Sequence, residues 1–425
     1  MDEGGNAMFA SLFAKTQAQP QRNYSRLVII SDFHYPCKNL VPPKERLMRM
    51  AAKERVLQEM NDWRDLDLAV FTGDMVQRNG DAAEYRLVRL VVNGLKKRKA
   101  FIAGNHELLY TGHHGELRPG SCTERIIHFA RYTQTFGPLY YAGEQGGYLL
   151  VFLSPDTVTG GAAVELSHQQ LAWLDQTLAA HRQQPTIIFC HAPLEQTAVS
   201  SRPGISLPSP RNSVQPAADI RTILARHHQV RLWVSGHTHT MPSDASFMDD
   251  ANYYEGRVLN VYNSDWDEDT IYINSLYLYE DHILIRTYDH SQGTRIPAFD
   301  RTVVLPHGLK APLAPWVVCR DSWFVGASTW DAHANPVYSL SGISTNFRQT
   351  THDPRYTKKL PRKRQLFLTH SSGSSMASWS GVVQKVNSGF RSTIQLVCHS
   401  LAMRRTTRCL WSLTIMALSM FFNSL

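Results

Sequence analysis

Five short segments of the sequence carry side chains that bind metal ions. They contain Asp, Asn and His, which offer oxygen and imidazole ligands to divalent ions. In chain order they are Asp32-Phe33-His34, Gly73-Asp74, Gly104-Asn105-His106-Glu107, Cys190-His191 and Gly236-His237-Thr238-His239. Asp32 and Asp74 bring two negative charges, so two divalent ions bound by this set would retain a net positive charge. Such a centre would attract phosphate.

Taken singly, each segment has an ordinary structural explanation. A histidine on a strand is usually part of the core, and an asparagine at a strand end is usually a turn residue. The joint occurrence of the five segments, each directly after an apolar run, instead favours one shared site.

The elements that must position these residues are short apolar runs typical of buried strands. They are Arg26–Ser31, Leu68–Thr72, Ala100–Ala103, Tyr148–Leu153, Thr186–Cys190 and Arg231–Ser235. Because ligands of α/β sheets gather outside the carboxyl ends of strands, the segments that follow these runs are expected to converge. Most runs are separated by helical periodicity, the clearest being a helix over 168–183 capped by Ser167. The pattern predicts an α/β fold.

The end of the folded body has a different pattern. Val258–Tyr262, Thr270–Tyr279 and Ile283–Tyr288 are typical of strands and have few helix signals between them. We therefore expect the body to close with β-hairpins.

The ordered motifs resemble those of the calcineurin-like metallophosphoesterase superfamily. Its pattern of Asp-x-His, Gly-Asp, Gly-Asn-His-Asp/Glu, His and Gly-His-x-His is met here without a gap, over about residues 25–305. The resemblance implies a β-sandwich flanked by α-helices, with a dinuclear metal site at the carboxyl ends of the strands. It implies that metal 1 is bound by Asp32, His34 and His239, that metal 2 is bound by Asn105, His191 and His237, and that Asp74 bridges them.

The resemblance also implies the chemistry. The cofactors would be two divalent transition-metal ions, Mn, Fe or Zn, with a bridging hydroxide attacking phosphorus. His106 would assist departure of the leaving group, and Glu107 would either orient His106 or complete the turn. The expected enzyme is a metallophosphoesterase, a phosphodiesterase or phosphatase acting on a phosphate ester, with nucleotides among the candidate substrates.

Departures from the superfamily pattern narrow the choice of subfamily. Purple acid phosphatases place a metal-binding Tyr three residues after the Gly-Asp aspartate, where this chain has Gln77. The Gly-His-Thr-His ending also differs from the protein Ser/Thr phosphatases. The chain is more similar to cyclic-nucleotide phosphodiesterase-like and general bacterial-type members. The alternative is a non-catalytic scaffold or binding protein on the same fold, but such scaffolds usually lose ligands and none is missing here.

Charged residues are distributed unevenly along the 425-residue chain. Residues 1–300 hold 29 Lys and Arg against 33 Asp and Glu, whereas residues 301–425 hold 15 against 3, so the net charge of +8 arises from the C-terminal part. We predict a flexible segment over 1–24, a metallophosphoesterase domain over 25–305 and a poorly specified, basic, glutamate-free tail over 306–425. A basic tail alone does not predict nucleic-acid binding.

The compartment is inferred from cysteines and apolar segments. The six cysteines form no CxxC pair, which favours a reducing compartment, and the N-terminal residues lack the apolar core of a secretory signal. We therefore predict a cytoplasmic protein. The uncharged segment Cys409–Leu425 is close to the lower length limit for a spanning helix and is rich in polar residues, so a membrane anchor is not favoured.

Overall fold

The first strand, β1 (Ser25–Ile30), is apolar over its last four residues, and both of its faces are buried there in the computed structural model. Leu27 and Ile29 belong to one hydrophobic cluster, and Val28 and Ile30 belong to another. Alternating side chains of a strand point to opposite faces, so β1 lies between two layers of core. The structure describes residues 22–38, 41–112, 117–197, 211–267, 270–309 and 311, together with the backbone of short strands between 324 and 400.

The chain divides into two units, Met1–Phe347 and Arg348–Leu425. The described helices of the first unit are α1 (Pro43–Asp62), α2 (Ala82–Val92), α3 (Asn105–Leu108), α4 (Cys122–Phe136), α5 (His168–Ala180) and α6 (Ala217–Arg226). The strands that follow β1 are β2 (Leu66–Thr72), β3 (Lys99–Ile102), β4 (Tyr110–Thr111), β5 (Arg118–Pro119), β6 (Tyr141–Gln145), β7 (Tyr148–Leu153), β8 (Thr186–Cys190) and β9 (Val230–Ser235). They continue with β10 (Tyr253–Tyr254), β11 (Val258–Tyr262), β12 (Tyr272–Leu278), β13 (His282–Asp289), β14 (Thr294–Arg295) and β15 (Arg301–Val304).

The first sheet has the order β14-β13-β12-β1-β2-β3, with β15 also paired to β13. β1, β2 and β3 are mutually parallel, so their carboxyl ends lie at one edge of the sheet. β12 and β13 are antiparallel neighbours, as the expected closing hairpin requires. Three of the five motif segments therefore start from the same edge.

The second sheet has the order β10-β11-β9-β8-β7-β6, extended by a short strand, β16 (Phe324–Val325). β7, β8, β9 and β11 are parallel, which brings the carboxyl ends of β8 and β9 together. One hydrophobic cluster joins the inner faces of both sheets through residues such as Leu27, Phe189 and Leu232. The expected β-sandwich is confirmed.

The helices cover the outer faces of the sandwich. Their buried side chains join the second cluster, which includes Val56 of α1, Phe129 of α4, Leu174 of α5 and Ile220 of α6. The helix predicted over 168–183 is α5, and the Oγ of Ser167 accepts the backbone N–H of Gln170 at its first turn. The predicted flanking helices are therefore present.

The C-terminal 120 residues contain strands that the sequence pattern did not predict. The first unit also has β17 (Thr329–Trp330) and β18 (Pro336–Val337), and the second unit has an antiparallel sheet of β19 (Leu366–Gly373), β20 (Met376–Asn387) and β21 (Phe390–Ser400). The predicted flexible segment 1–24 lies almost wholly outside the described residues, and Cys409–Leu425 lies entirely outside them. Among the described residues, no helix has the length and apolarity to cross a membrane.

Candidate metal centre

The five motif segments meet where the two sheets present their parallel carboxyl ends. Ligand-type atoms from them form three close groups, with all atoms of a group within 4.8 Å of one another. The groups are Asp32, His34 and His239; His34, Asp74 and His106; and Asp74, His191 and His237. The first group matches the residues predicted for metal 1, and the third matches Asp74 with two of the three predicted for metal 2.

Three predicted ligand atoms are buried and have no hydrogen-bond partner. They are His34 Nε2, Asn105 Oδ1 and His191 Nε2. His191 Nε2 lies 3.1 Å from Asp74 Oδ2, but the two atoms are not aligned as a hydrogen bond. A buried polar atom without a partner costs free energy, and a bound cation would satisfy all three. The donor set therefore fits divalent metal ions that take nitrogen and oxygen ligands.

Backbone carbonyls fix the orientation of the histidine rings. Nδ1 of His34 lies 3.2 Å from the Val76 oxygen, and Nδ1 of His191 lies 2.8 Å from the Thr72 oxygen. A carbonyl oxygen can only accept a hydrogen bond, so Nδ1 of each ring carries a proton and Nε2 is the ring nitrogen that faces the centre. Metal-binding histidines characteristically donate their other ring N–H in this way.

Asp74 lies between the candidate groups. Its Oδ2 is 3.1 Å from His191 Nε2 and 3.8 Å from His34 Nε2, and it belongs to two of the three groups. Asp32 belongs to the first group alone, although its Oδ1 also lies 3.9 Å from His191 Nε2. The position is tightly enclosed, since a Cβ added at Gly104 would collide with Asp74 Oδ1 and with the Asp74 backbone nitrogen. Glycine at 104 thus allows the close approach of the β2 and β3 turns.

The backbone of the centre is strained. Of the seven non-glycine residues with positive φ among those described, five are predicted ligands: Asp32, His34, Asp74, His237 and His239. This left-handed conformation is unfavourable for side chains with a Cβ, and it clusters at functional sites because the surrounding structure enforces it. The strain indicates that the fold places these side chains rather than leaving them in relaxed turns.

Electrostatics keep the two aspartates ionised. Burial opposes ionisation of the Asp32 carboxyl, but His239 and His191 hold its pKa below the usual range. Burial also acts against ionised Asp74, whose pKa is nevertheless held well below its usual value by His191 and His106. Two buried carboxylates that depend on positive charge nearby are suited to holding cations.

The two predicted catalytic residues have different surroundings. The His106 ring contacts the His34 ring at 4.9 Å between centroids, its Nε2 lies 3.9 Å from Asp74 Oδ2, and its Nδ1 contacts the Arg78 oxygen. The Arg78 carbonyl, and not the Glu107 side chain, therefore faces the outer nitrogen of the His106 ring. His106 reaches the centre from beside the ligands.

Glu107 instead holds the turns together. Its buried carboxylate accepts four backbone N–H groups, those of Asp74, Met75, Val76 and Gly104, at 2.6–2.9 Å. These contacts tie the turn after β2 to the turn after β3. The geometry therefore gives Glu107 a positioning role, because both of its oxygens are already bonded.

The sequence reasoning missed two charged residues at the centre. Lys38 Nζ lies 3.3 Å from His239 Nε2, and Asp265 Oδ2 lies 2.6 Å from His239 Nδ1. Lys38 follows the first motif by four positions, so its proximity to that motif was the available signal. Asp265 lies in an acidic stretch, Asp265–Asp269, that is indistinguishable in sequence from a solvated loop.

The chain is similar to two curated proteins that share one description, probable cyclic nucleotide phosphodiesterase. A probable cyclic nucleotide phosphodiesterase of Synechococcus sp. is 27% identical over 215 residues, which cover 49% of this chain and 71% of that protein. A second, from Moraxella catarrhalis, is 30% identical over 180 residues, which cover 41% of this chain and 58% of that protein. The match thus spans less than two thirds of the Moraxella protein.

A solved structure and a family model also match. The crystal structure of a dimetal phosphatase from Danio rerio aligns with 67% of this chain and 100% of its own, at 16% identity and a TM-score of 0.45. The family model described as calcineurin-like phosphoesterase matches residues 25–241, about half of the chain, and includes all five motif segments. The chain therefore belongs to the calcineurin-like phosphoesterase family.

Proposed function

We propose that this chain is a metal-dependent hydrolase of phosphoric esters and that its substrates are phosphodiesters, with cyclic nucleotides the first class to test. The observation that carries the proposal is the set of buried, unpartnered ligand atoms around Asp74, namely His34 Nε2, Asn105 Oδ1 and His191 Nε2. The family match supports ester hydrolysis, and the printed descriptions of the two relatives support a diester.

The ligand roles follow the close groups. Asp32, His34 and His239 would hold one ion, Asn105, His191 and His237 would hold the other, and Asp74 would serve both. When bound, divalent ions at such a site supply Lewis acidity, which polarises a phosphoryl oxygen and makes water a better nucleophile.

His106 is the candidate proton donor to the leaving oxygen. Its Nδ1 is committed to the Arg78 carbonyl, so Nε2 is the ring atom that faces the centre. Burial lowers the pKa of His106 and Asp74 opposes this shift, so the donor would be the imidazolium form, which carries its second proton on Nε2 and becomes neutral when that proton is transferred. The side chain is almost fully buried, which fixes its position relative to Asp74. Positioned general acids of this kind typically contribute about 10²- to 10⁴-fold in rate.

Lys38 is the candidate contact for a phosphoryl oxygen. Its ammonium lies beside His239 at the edge of the first ligand group, and the side chain is only partly buried. A substrate entering from this side would meet a positive charge before reaching Asp32. The residue would therefore contribute to substrate binding more than to the chemical step.

The test is a substrate panel on protein stripped of metal and reloaded with Mn²⁺. An aryl phosphodiester, an aryl phosphomonoester and cyclic AMP would be compared at matched metal loading. We expect turnover that requires Mn²⁺, is abolished by chelation and is higher for the diesters. The Asp74→Asn variant should be inactive with every member of the panel.

Two outcomes would contradict the proposal. Metal-bound protein that hydrolyses no phosphate ester would favour the alternative of a non-catalytic scaffold. Turnover of the monoester that is tenfold or more faster than that of the diesters would still indicate a hydrolase, but it would exclude phosphodiesters as the preferred substrates.

A further inference from the structure

Four of the five histidines of the centre are oriented by neutral backbone carbonyls. The oxygens that face their outer ring nitrogens belong to Val76 for His34, Arg78 for His106, Thr72 for His191 and Arg211 for His237. His239 differs, because its Nδ1 faces the carboxylate Oδ2 of Asp265 at 2.6 Å. Of the histidines assigned to the two metal positions, one of the two at metal 1 is therefore backed by a charged group, and the others are backed by neutral carbonyls.

Asp265 is held rigidly in the turn that follows β11. The residue is 3% exposed, and its Oδ1 accepts the backbone N–H of Asp267. The next residue, Trp266, donates its backbone N–H to the Asp32 carbonyl at 3.1 Å, and Asp267 forms a buried ion pair with Lys53 at 2.8 Å. This turn is thus attached directly to the turn after β1, although it lies beyond residues 25–241 that the family model matches.

We infer that Asp265 is a positioning residue for the metal 1 position, an inference that rests on the proposed function. By accepting the Nδ1–H of His239, Asp265 fixes the ring so that Nε2 faces the centre, 3.2 Å from Asp32 Oδ1 and 3.3 Å from Lys38 Nζ. It also adds a negative charge behind a ligand, which raises the basicity of that ligand.

The consequence is an unequal effect on the two metal positions. Metal 1 would have Asp32 as a ligand and Asp265 behind another ligand, whereas the residues assigned to metal 2 alone include no carboxylate and their two histidines are backed by carbonyls. Removing the Asp265 side chain should therefore weaken the binding of one metal ion and leave the binding of the other unchanged. A purely structural role would instead weaken both or lower the stability of the whole domain.

Two substitutions separate orientation from charge. In Asp265→Asn the side-chain carbonyl can still accept the Nδ1–H of His239, whereas the charge is lost. In Asp265→Ala both are lost. Asp175→Asn is the matched control, because Asp175 Oδ1 forms a similar contact of 2.7 Å with His227 Nε2 between α5 and α6 and belongs to none of the metal-binding groups.

Mn²⁺ binding to the full-length chain is measured through the electron paramagnetic resonance signal of free Mn²⁺. The melting temperature of each metal-free variant is measured as well. We expect one of two Mn²⁺ equivalents to bind about 10- to 100-fold more weakly in Asp265→Ala, less so in Asp265→Asn, and both to be unchanged in Asp175→Asn. Nitrogen-15 spectra should also show that His239 loses its fixed Nδ1–H tautomer in Asp265→Ala.

The outcomes distinguish the two proposals. Wild-type Mn²⁺ affinities in Asp265→Ala, or an equal loss in Asp175→Asn, would overturn the role of Asp265 and leave the proposed hydrolase standing. Equal weakening of both equivalents together with a lower melting temperature would overturn it in favour of a structural role. A wild-type chain that binds no Mn²⁺ would overturn both.

Discussion

Asp74 is the residue on which both halves of the candidate centre depend. Its side chain belongs to two of the close groups of ligand atoms, whereas Asp32 belongs to one and reaches His191 of the other half only at 3.9 Å. We therefore expect Asp74→Asn to lose both Mn²⁺ equivalents and Asp32→Asn to lose mainly one. Elemental analysis of the Mn²⁺-loaded variants measures this directly, and equal metal content in the two would count against a shared carboxylate.

The position of His106 separates metal binding from proton transfer. It contacts the centre from beside the ligands, so His106→Ala should retain wild-type metal content. Turnover of substrates with poor leaving groups should fall by about 10²- to 10⁴-fold, because departure of the leaving oxygen then lacks a proton donor. A nitrophenyl leaving group should hide part of the loss, so kcat measured for both substrate types checks the role. An equal loss for both would indicate a binding role instead.

Glu107 lies next to His106 in sequence but is expected to act through the backbone. Glu107→Gln replaces one carboxylate oxygen with an NH₂ group that faces backbone N–H groups of the turn after β2. Leaving such buried donors unpaired costs about 1–3 kcal/mol, so the free energy of unfolding should fall by an amount of that order. Urea unfolding of metal-free protein measures the change. Glu45→Gln on α1 is the control, because the partly buried Glu45 carboxylate pairs with the Arg49 side chain at 2.8 Å rather than holding backbone turns. Equal stability of the two variants would contradict the positioning role.

At the scale of elements, the sequence predicted most of the strands that carry the site. Tyr148–Leu153, Thr186–Cys190 and Val258–Tyr262 have the predicted bounds, and β1 and β9 differ from theirs by one residue. The prediction succeeds because parallel strands with two buried faces leave continuous apolar runs. For β1, β2, β3, β8 and β9, a motif segment at the end of the run also marks where the strand ends.

What could not be predicted are contacts between turns that are distant in sequence. Asp265 meets His239 only because β9 and β11 are parallel neighbours, and nothing in an acidic stretch identifies which carboxylate faces inward. The bonds of Glu107 to the turn after β2 likewise depend on the pairing of β2 with β3. The sequence motifs therefore identified the candidate ligands and Glu107, but not Asp265 or the backbone groups that Glu107 binds.

The first turn of α5 is expected to make stability pH-dependent. Asp156 is buried and accepts the backbone N–H of Ser167 at 2.6 Å and its hydroxyl at 2.7 Å. Burial raises the pKa of Asp156 to about 7 in spite of these bonds. Its ordinary value is about 3.9, so the folded chain binds this proton more tightly than the unfolded chain. The contribution to stability is therefore complete below about pH 4 and is lost as the pH rises through about 7.

Asp156→Asn should remove this dependence. The melting temperature of the metal-free wild type, measured relative to that of Asp156→Asn, is expected to fall between pH 5 and pH 8. Using the difference between the two proteins cancels the titration of all groups that they share. A difference that stays constant over this range, or that rises with pH, would show that Asp156 is ionised throughout.

At the scale of the whole molecule, the centre is a product of two sheets meeting at one edge. The first candidate ligand and the last are separated by 207 positions. Neither sheet alone supplies the complete first group, which combines Asp32 and His34 from the first sheet with His239 from the second. The inner core that joins the sheets is therefore a condition for metal binding. Loss of packing between the sheets should abolish metal binding even where every ligand is retained.

The C-terminal limit of this packing can be tested by truncation. We propose that the domain extends to Ala311, beyond the predicted boundary at 305, because Ala311 is fully buried in the inner core and its N–H bonds the Glu280 oxygen at 3.0 Å. A chain ending at residue 306 would lose Ala311 and the partly buried Leu309, and should unfold with a free energy about 1–3 kcal/mol lower than a chain ending at 311. Both should be compared with a chain ending at 347, which retains the short strand paired to β6. Urea unfolding and Mn²⁺ binding of the three proteins decide the boundary: equal stability at 306 and 311 would place it at the predicted position, and aggregation of the chain ending at 311 would show that the strand at 324–325 is required.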